Sequence, residues 1–173
     1  MNVALAVVLR LDAETAGFID AMTECLPERL TCNPNRSYPA HITLATFSDA
    51  VDAADLDAAL ATATGREALQ VTLVGIGISP GDPSSLWLAP APTTDLLIRH
   101  ATFLRALADL PCHPEYEIGT WMPQVVLRRT HLPADAVEVL VANWHGPITG
   151  WLDSLDLVQL NPVRTLSRRP LRI

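Results

Sequence analysis

The sequence predicts an α+β protein made of two similar halves, each ending in an antiparallel hairpin. Two observations carry this. After an opening strand, a helix–strand–helix–hairpin order runs through the first half and recurs in the second. Two proline-led stretches open corresponding strands: Tyr38-Pro39-Ala40-His41-Ile42-Thr43-Leu44, and Trp121-Met122-Pro123-Gln124-Val125-Val126-Leu127, in which Gln124 stands 83 positions after His41.

Residues 3–10 are rich in Val and Leu and read as a buried strand. Asp12 is the natural N-cap of a helix over 13–26, with Phe18, Ile19 and Met22 on one face. A loop with Pro27, Asn33, Pro34, Asn35 and Ser37 leads to a strand over 41–47. Asp52 starts an Ala/Leu helix to about Thr64. A strand over 69–79 follows, in which Gly75 and Gly77 point to a bulge or a close backbone approach. Pro80-Gly81-Asp82-Pro83 turns the chain into a short strand over 85–89. In the second half, Thr93 or Thr94 caps a helix to about Leu110, with Leu97, Phe103, Leu104 and Leu107 on its apolar side. His100 within it reads as structural. A loop over 111–120 leads to a strand over 122–129. A helix over 134–144 and strands over 148–160 and 163–172 complete the repeat. The four tryptophans, Trp87, Trp121, Trp144 and Trp151, suit a core or the wall of a site.

The chemistry concentrates in the two proline-led strands. Side chains alternate along a strand. His41, Thr43 and Ala45 should therefore share one face, and Ile42, Leu44 and Thr46 the other. An imidazole moves protons near neutral pH, and a hydroxyl beside it donates to an anionic oxygen. That pair suits a phosphate ester. An isolated His-x-Thr more commonly marks only the wet face of a strand; the second stretch, of the same form, gives it meaning. There Gln124 holds the place of His41 and Val126 that of Thr43. On a regular strand Arg128 shares their face. Arg36 and Tyr38 precede the first motif and are within reach of its polar face. His113 lies in the loop before the second motif.

Composition narrows the function. The 173-residue chain has a net charge of −7 and a hydrophobic content of 49%. The charge is unfavourable for binding long nucleic acid by bulk attraction, and the hydrophobic content argues against disorder. All 12 basic residues are Arg, which excludes a Schiff-base or P-loop lysine. Arg128 and Arg129 follow the second motif, and Arg164, Arg168, Arg169 and Arg172 crowd the C-terminus; Arg is suited to bidentate phosphate contacts. No apolar run is long enough for a membrane span, and the N-terminus lacks the pattern of a signal peptide. Three scattered cysteines, Cys25, Cys32 and Cys112, suggest a reducing, cytoplasmic setting rather than a disulfide framework. No Cys/His spacing suits zinc, and no metal or cofactor is expected.

With both motifs in view, the chain resembles the 2H phosphoesterase superfamily, which includes the bacterial 2′-5′ RNA ligase-like proteins. That family carries two His-x-Thr/Ser-hydrophobic motifs about 80 residues apart. The stretches Leu86-Trp87-Leu88-Ala89-Pro90 and Asn161-Pro162-Val163-Arg164-Thr165-Leu166 resemble its mid-chain strand and last hairpin, so the likeness covers nearly the whole chain. It implies one domain of two pseudo-symmetric α/β lobes, about 1–90 and 91–173 with strands exchanged between them, whose antiparallel sheets face a central cleft. It implies a monomer whose partner is a nucleotide, a cyclic phosphate or an RNA end. It implies one histidine as general base, the other as general acid, and two hydroxyls on the phosphoryl oxygens. By position His41 and Thr43 keep those roles. Gln124 and Val126 depart from the pattern: an amide cannot exchange a proton at neutral pH, and a valine donates nothing. The alternatives are a phosphodiesterase with weakened chemistry, with Arg128 and His113 as partial replacements, or a domain that binds a phosphate ligand without turning it over.

Overall fold

The computed structural model describes residues 3–24, 38–63, 65, 67–107, 109–130 and 134–172. The elements run β1 (Val3–Leu11), α1 (Ala13–Glu24), β2 (His41–Ser48), α2 (Ala53–Ala63), β3 (Leu69–Ser79), β4 (Ser84–Pro90), α3 (Thr94–Ala106), a short 3-10 turn at Pro114–Tyr116, β5 (Val125–Thr130), α4 (Ala134–Ala142), β6 (Ile148–Leu160) and β7 (Val163–Pro170). The expected order holds, with element ends shifted by a few residues. The second proline-led strand begins at Val125 rather than 122, and α3 stops four residues early. Among the described residues no helix is long and apolar enough to cross a membrane.

All seven strands belong to one antiparallel sheet of order β1-β2-β5-β4-β3-β6-β7, and β1 also pairs with β6. The pairing therefore closes into a circuit, with β7 attached outside it along β6. One half of the circuit is β2-β1-β6-β7 and the other is β5-β4-β3. The first takes its strands from the two ends of the chain, and the second from its middle. They are joined at two seams: β3 to β6 over Leu69–Leu73, and β2 to β5 through the single pair Ile42↔Val125.

One apolar cluster fills the structure, drawing Leu5, Val7, Leu9, Ile42, Phe47, Val71, Leu73, Leu86, Leu88, Val125, Leu155 and Leu157 from the strands, and Ile19, Met22, Leu56, Leu60, Leu96, Phe103 and Leu140 from the four helices. Each such side chain, fully buried, contributes about 1.5–3 kcal/mol. In α3 the buried stripe is Leu96, His100 and Phe103, continued by Leu107, while Leu97 is exposed. Phe103 and Leu107 are buried as expected and Leu104 packs against the core, while Leu96 rather than Leu97 takes the inward place a turn before His100. In α1, Ile19 and Met22 are buried as expected but Phe18 is half exposed.

Six register shifts interrupt the strands. Extra residues stand at Ala4 and Leu44 between β1 and β2, at Asp153 between β1 and β6, at Val74 between β3 and β4, at Leu127 between β4 and β5, and at Leu166 between β6 and β7. The bulge at Leu44 overturns the simple alternation of β2. Ala45 pairs with Val7 and is fully buried, so it joins the core instead of the face of His41 and Thr43. Thr46 pairs with Ala6 and lies on the opposite side from the core. Gly77 is a place of close approach: the indole of Trp87 lies where its Cβ would be, 2.3 Å away.

The start of α1 is pinned to β6. Asp12 accepts from the Thr15 N–H at 2.9 Å, the Thr15 hydroxyl at 2.8 Å and the Trp151 N–H at 2.7 Å. Thr15 is thereby held directly over Gly150, where an added Cβ would lie 2.0 Å from its Oγ1. Thr15 is β-branched and tied by hydrogen bonds, so it cannot swing away. Gly150→Ala is expected to destabilise the fold by about 1–3 kcal/mol through overpacking, lowering the thermal midpoint by roughly 2–12 °C. A calorimetric or circular-dichroism melt checks this; an unchanged midpoint contradicts it.

Candidate active site

The seam between β2 and β5 builds the site. Ile42 and Val125 are both fully buried and face each other. Their neighbours on either side must then point to the opposite face. Among the described residues Ile42↔Val125 is the one pair between β2 and β5; continued one residue each way, its antiparallel register turns Thr43 toward Gln124 and His41 toward Val126. Side chains so opposed lie roughly 5 Å apart at Cβ, and the diagonal His41–Gln124 pair about 7–8 Å. His41, Thr43 and Gln124 are half-buried and Val126 is more exposed. The two motifs therefore come together on one face, related by the local two-fold of a strand pair.

The row through His41 continues on both sides. Val126 pairs with Trp87 in β4, and His41 pairs with Arg10 in β1, which pairs with Ser154 in β6. The row through Thr43 continues through Val8 to Asp156 in β6 and Arg168 in β7.

His41 is held in one tautomer. Its Nδ1 lies 2.8 Å from the carbonyl of Pro39, which can only accept, so Nδ1 carries the proton and Nε2 keeps a free lone pair. Crowding by the surrounding protein lowers the pKa of the imidazole, with the Pro39 carbonyl and the Asp156 carboxylate pulling weakly the other way. The group is thus a neutral base at physiological pH. The Tyr38 ring meets the imidazole edge-on, centroids 5.0 Å apart. The Tyr38 hydroxyl donates to Asp156 at 2.6 Å, and Arg168 donates to the same carboxylate from Nε and Nη2 at 2.9 and 2.8 Å. Burial and the Asp156 carboxylate raise the pKa of the Tyr38 hydroxyl far above its ordinary value, so it stays a donor. Tyr38 therefore backs His41 as part of a fixed network.

The backbone of β2 is fixed from the other edge, where β5 diverges. The Trp121 indole donates to the Thr43 carbonyl at 2.9 Å. His100 Nε2 lies 3.2 Å from the Leu44 carbonyl, and its ring stacks on Trp121 at 3.8 Å. The His113 N–H donates to the Thr46 carbonyl at 2.9 Å. A surface concavity of about 470 Å³ lies beside this support, lined by Leu97, Ile98, His100, Ile118 and Trp121, and His41 does not line it.

Two sequence expectations change. Arg128 does not share the face of Gln124 and Val126: the extra residue Leu127 puts it in register with core Leu86, and it is 3% exposed. The His113 backbone is bonded to Thr46, three residues, or roughly 10 Å of strand, beyond Thr43, the residue that faces Gln124. Arg36 lies outside the described residues. Arg10, Ser154 and Asp156 were missed. Their signal was a lone charge or hydroxyl inside an apolar strand, where burial of a polar group requires a reason. Among the described residues no cluster of His, Cys, Asp or Glu is arranged to hold a metal ion.

Fold and site together define an α+β phosphoesterase-like architecture, and comparison with known proteins agrees. A family model described as the 2′-5′ RNA ligase superfamily matches residues 11–163, and the chain belongs to that family, consistent with the wider 2H phosphoesterase superfamily. A sequence comparison with curated proteins gives no match. Among solved structures, the fold is similar to a phosphoesterase (TM-score 0.68, 16% identity, 100% of both chains covered). It is similar to E. coli LigT in apo form (0.67, 17%, 100% of both) and to E. coli LigT complexed with 3′-AMP (0.65, 18%, 99% of both).

The lowered pKa values of His41 and His100, both caused first by burial, set a pH dependence. The unfolded chain takes up these protons near the ordinary imidazole value of about 6.5, before the folded protein does. Stability is therefore full above that pH and is lost as pH falls below it. Denaturant unfolding at pH 7.5 and 5.5 should show the loss. An NMR titration should give His41 a midpoint below the ordinary value, and Asp156→Asn should lower it further by removing a favourable negative charge.

Proposed function

We propose that this protein acts on, or binds, a nucleotide or RNA-end phosphodiester at the His41 face, as a cyclic phosphodiesterase-type member of its superfamily whose proton-transfer chemistry is weakened. The observation that carries this reading is the Ile42–Val125 pair, which sets His41 and Thr43 beside Gln124 and Val126 on one face. A cyclic phosphate bound there has the Thr43 hydroxyl and the Gln124 amide as donors to its oxygens. His41 Nε2 takes the proton of an attacking water. The new P–O bond forms as the bond to one ribose oxygen breaks, and that oxygen leaves needing a proton. Gln124 cannot supply one, so the proton comes from solvent. A positioned acid accelerates such a step by about 10²–10⁴.

The same substitution favours a second reading, in which the face binds a nucleotide without turnover. Complexes of E. coli LigT with 3′-AMP, with phosphate and with ATP support a nucleotide or phosphate as the ligand class in either case. Turnover of a 2′,3′-cyclic nucleotide separates the readings. Weak hydrolysis is expected for the wild type, a gain for Gln124→His with Val126→Thr, and loss of all activity for His41→Ala. Brisk wild-type hydrolysis that vanishes with His41→Ala would show that the acid is complete and the weakened reading wrong. Nucleotide binding with no hydrolysis in wild type or double variant favours the second reading.

A further inference from the structure

Three polar atoms beside His41 have no hydrogen-bond partner although each is buried: Arg10 Nε, Ser154 Oγ and Asp153 Oδ1. Buried polar groups are nearly always satisfied, so three in one place call for a cause. They belong to one constellation. Arg10 is the direct neighbour of His41 in β1, and Ser154 is the direct neighbour of Arg10 in β6. Asp153 is the bulged residue between the pairs Arg10↔Ser154 and Leu11↔Leu152. Its carboxylate lies 3.9 Å from Arg10 Nη2, a loose ion pair that tethers one end of the guanidinium and leaves Nε unengaged. Ser154 is 2% exposed, so its hydroxyl has no competition from bulk water.

The position matters as much as the unpaired atoms. His41 stands between two flanking places on its face: Val126 on the β5 side and Arg10 on the β1 side. Arg10 is the paired neighbour of His41, at roughly 5 Å at Cβ, and Val126 lies one position beyond the Ile42↔Val125 pair. An anion resting on the imidazole therefore has Arg10 directly beside it. Val126 offers no donor. Arg10 offers a charged one, and charge-assisted bonds from guanidinium to phosphate are the strong class.

We propose that Arg10, assisted by Ser154, is the second phosphoryl-oxygen ligand of this site, doing from β1 what a hydroxyl at Val126 would do from β5. This rests on the proposed function and names the residue that holds the substrate. The ligand class follows from the donors: a monoanionic or dianionic phosphate, free or esterified. The Asp153 carboxylate, 3.9 Å from Arg10 Nη2, sets a limit on total negative charge, since it stands close to any anion bound by Arg10.

Calorimetric titration with inorganic phosphate and with adenosine 3′-monophosphate tests it, at low salt and pH 7.5. The wild type is expected to bind both. Arg10→Met should weaken binding roughly ten- to hundredfold, as loss of a hydrogen bond to a charged group does. Ser154→Ala should weaken it by a smaller factor. Arg10→Lys, which keeps the charge but lacks Nε, should fall between wild type and Arg10→Met. Val126→Thr added to Arg10→Met should restore part of the affinity, a recovery that a purely structural role for Arg10 does not produce. Ser154→Ala and Arg10→Lys decide the matter if Arg10→Met does not fold. Wild-type binding that none of the Arg10 and Ser154 variants weakens overturns the inference and leaves the proposed function standing. A wild type that binds neither ligand overturns both.

Discussion

One backbone pairing, Ile42 with Val125, governs the rest of the structure. It is the sole point at which β2 and β5 meet, and it joins the two halves of the sheet circuit. Its core side chains fix which residues face away, and those residues are the two motifs. A longer ladder would have bound the halves more firmly. It would also have flattened the junction that the bulges at Leu44 and Leu127 bend. Because β2 leaves β5 after one pair, its carbonyls need other donors, since a buried backbone group without a partner is costly. The indole of Trp121, the imidazole of His100 and the N–H of His113 supply them at Thr43, Leu44 and Thr46. The second half of the chain therefore holds the first motif in place.

The sequence made the element order and the first motif legible because those depend on local signals. Asp12 is the N-cap it promised to be. The polarity of His41-Ile42-Thr43 and Gln124-Val125-Val126 is correct because no bulge falls within either triplet. Bulges defeat alternation, and nothing in the residues Leu44 or Leu127 announces them: each is an ordinary strand leucine. Ala45 and Arg128 were consequently assigned to the wrong face. In α3 the sequence marks Phe103 and Leu107 as apolar and His100 as structural, and the fold buries all three, with His100 an inward donor to β2; Leu97 alone is displaced, by Leu96. Arg10 was invisible as a site residue because its partnership with His41 depends on pairing between strands 31 positions apart in sequence.

The C-terminal arginines illustrate the limit of composition. Their crowding suits anion recognition, and ion pairing with the 19 acidic residues is the commoner use of such arginines. In the structure Arg168 is engaged by Asp156, and Arg169 reaches Asp57 at 2.7 Å and the Asp57 carbonyl at 2.9 Å, while Ser167 donates to the same carboxylate. These contacts fasten β7 to α2 and to the buried end of the Tyr38 network. Charge that looked available for a ligand is largely committed to holding the last strand, and the cation next to the motif histidine is a solitary one near the N-terminus.

That last strand has one further consequence. Among the described residues β7 pairs with β6 alone, so its far side is an unfinished rim of backbone donors and acceptors. Such rims recruit strands from other copies of a chain and seed aggregation. Here the exposed positions are Arg164, Leu166, Arg168 and Pro170. A second molecule docking along the rim would bring like charges together at Arg164 and Arg168, and would find no N–H to pair with at Pro170. Arg168, which anchors β7 inward through Asp156, also discourages its extension outward, and with Arg164 and Pro170 it gives the open rim its own protection against polymerisation.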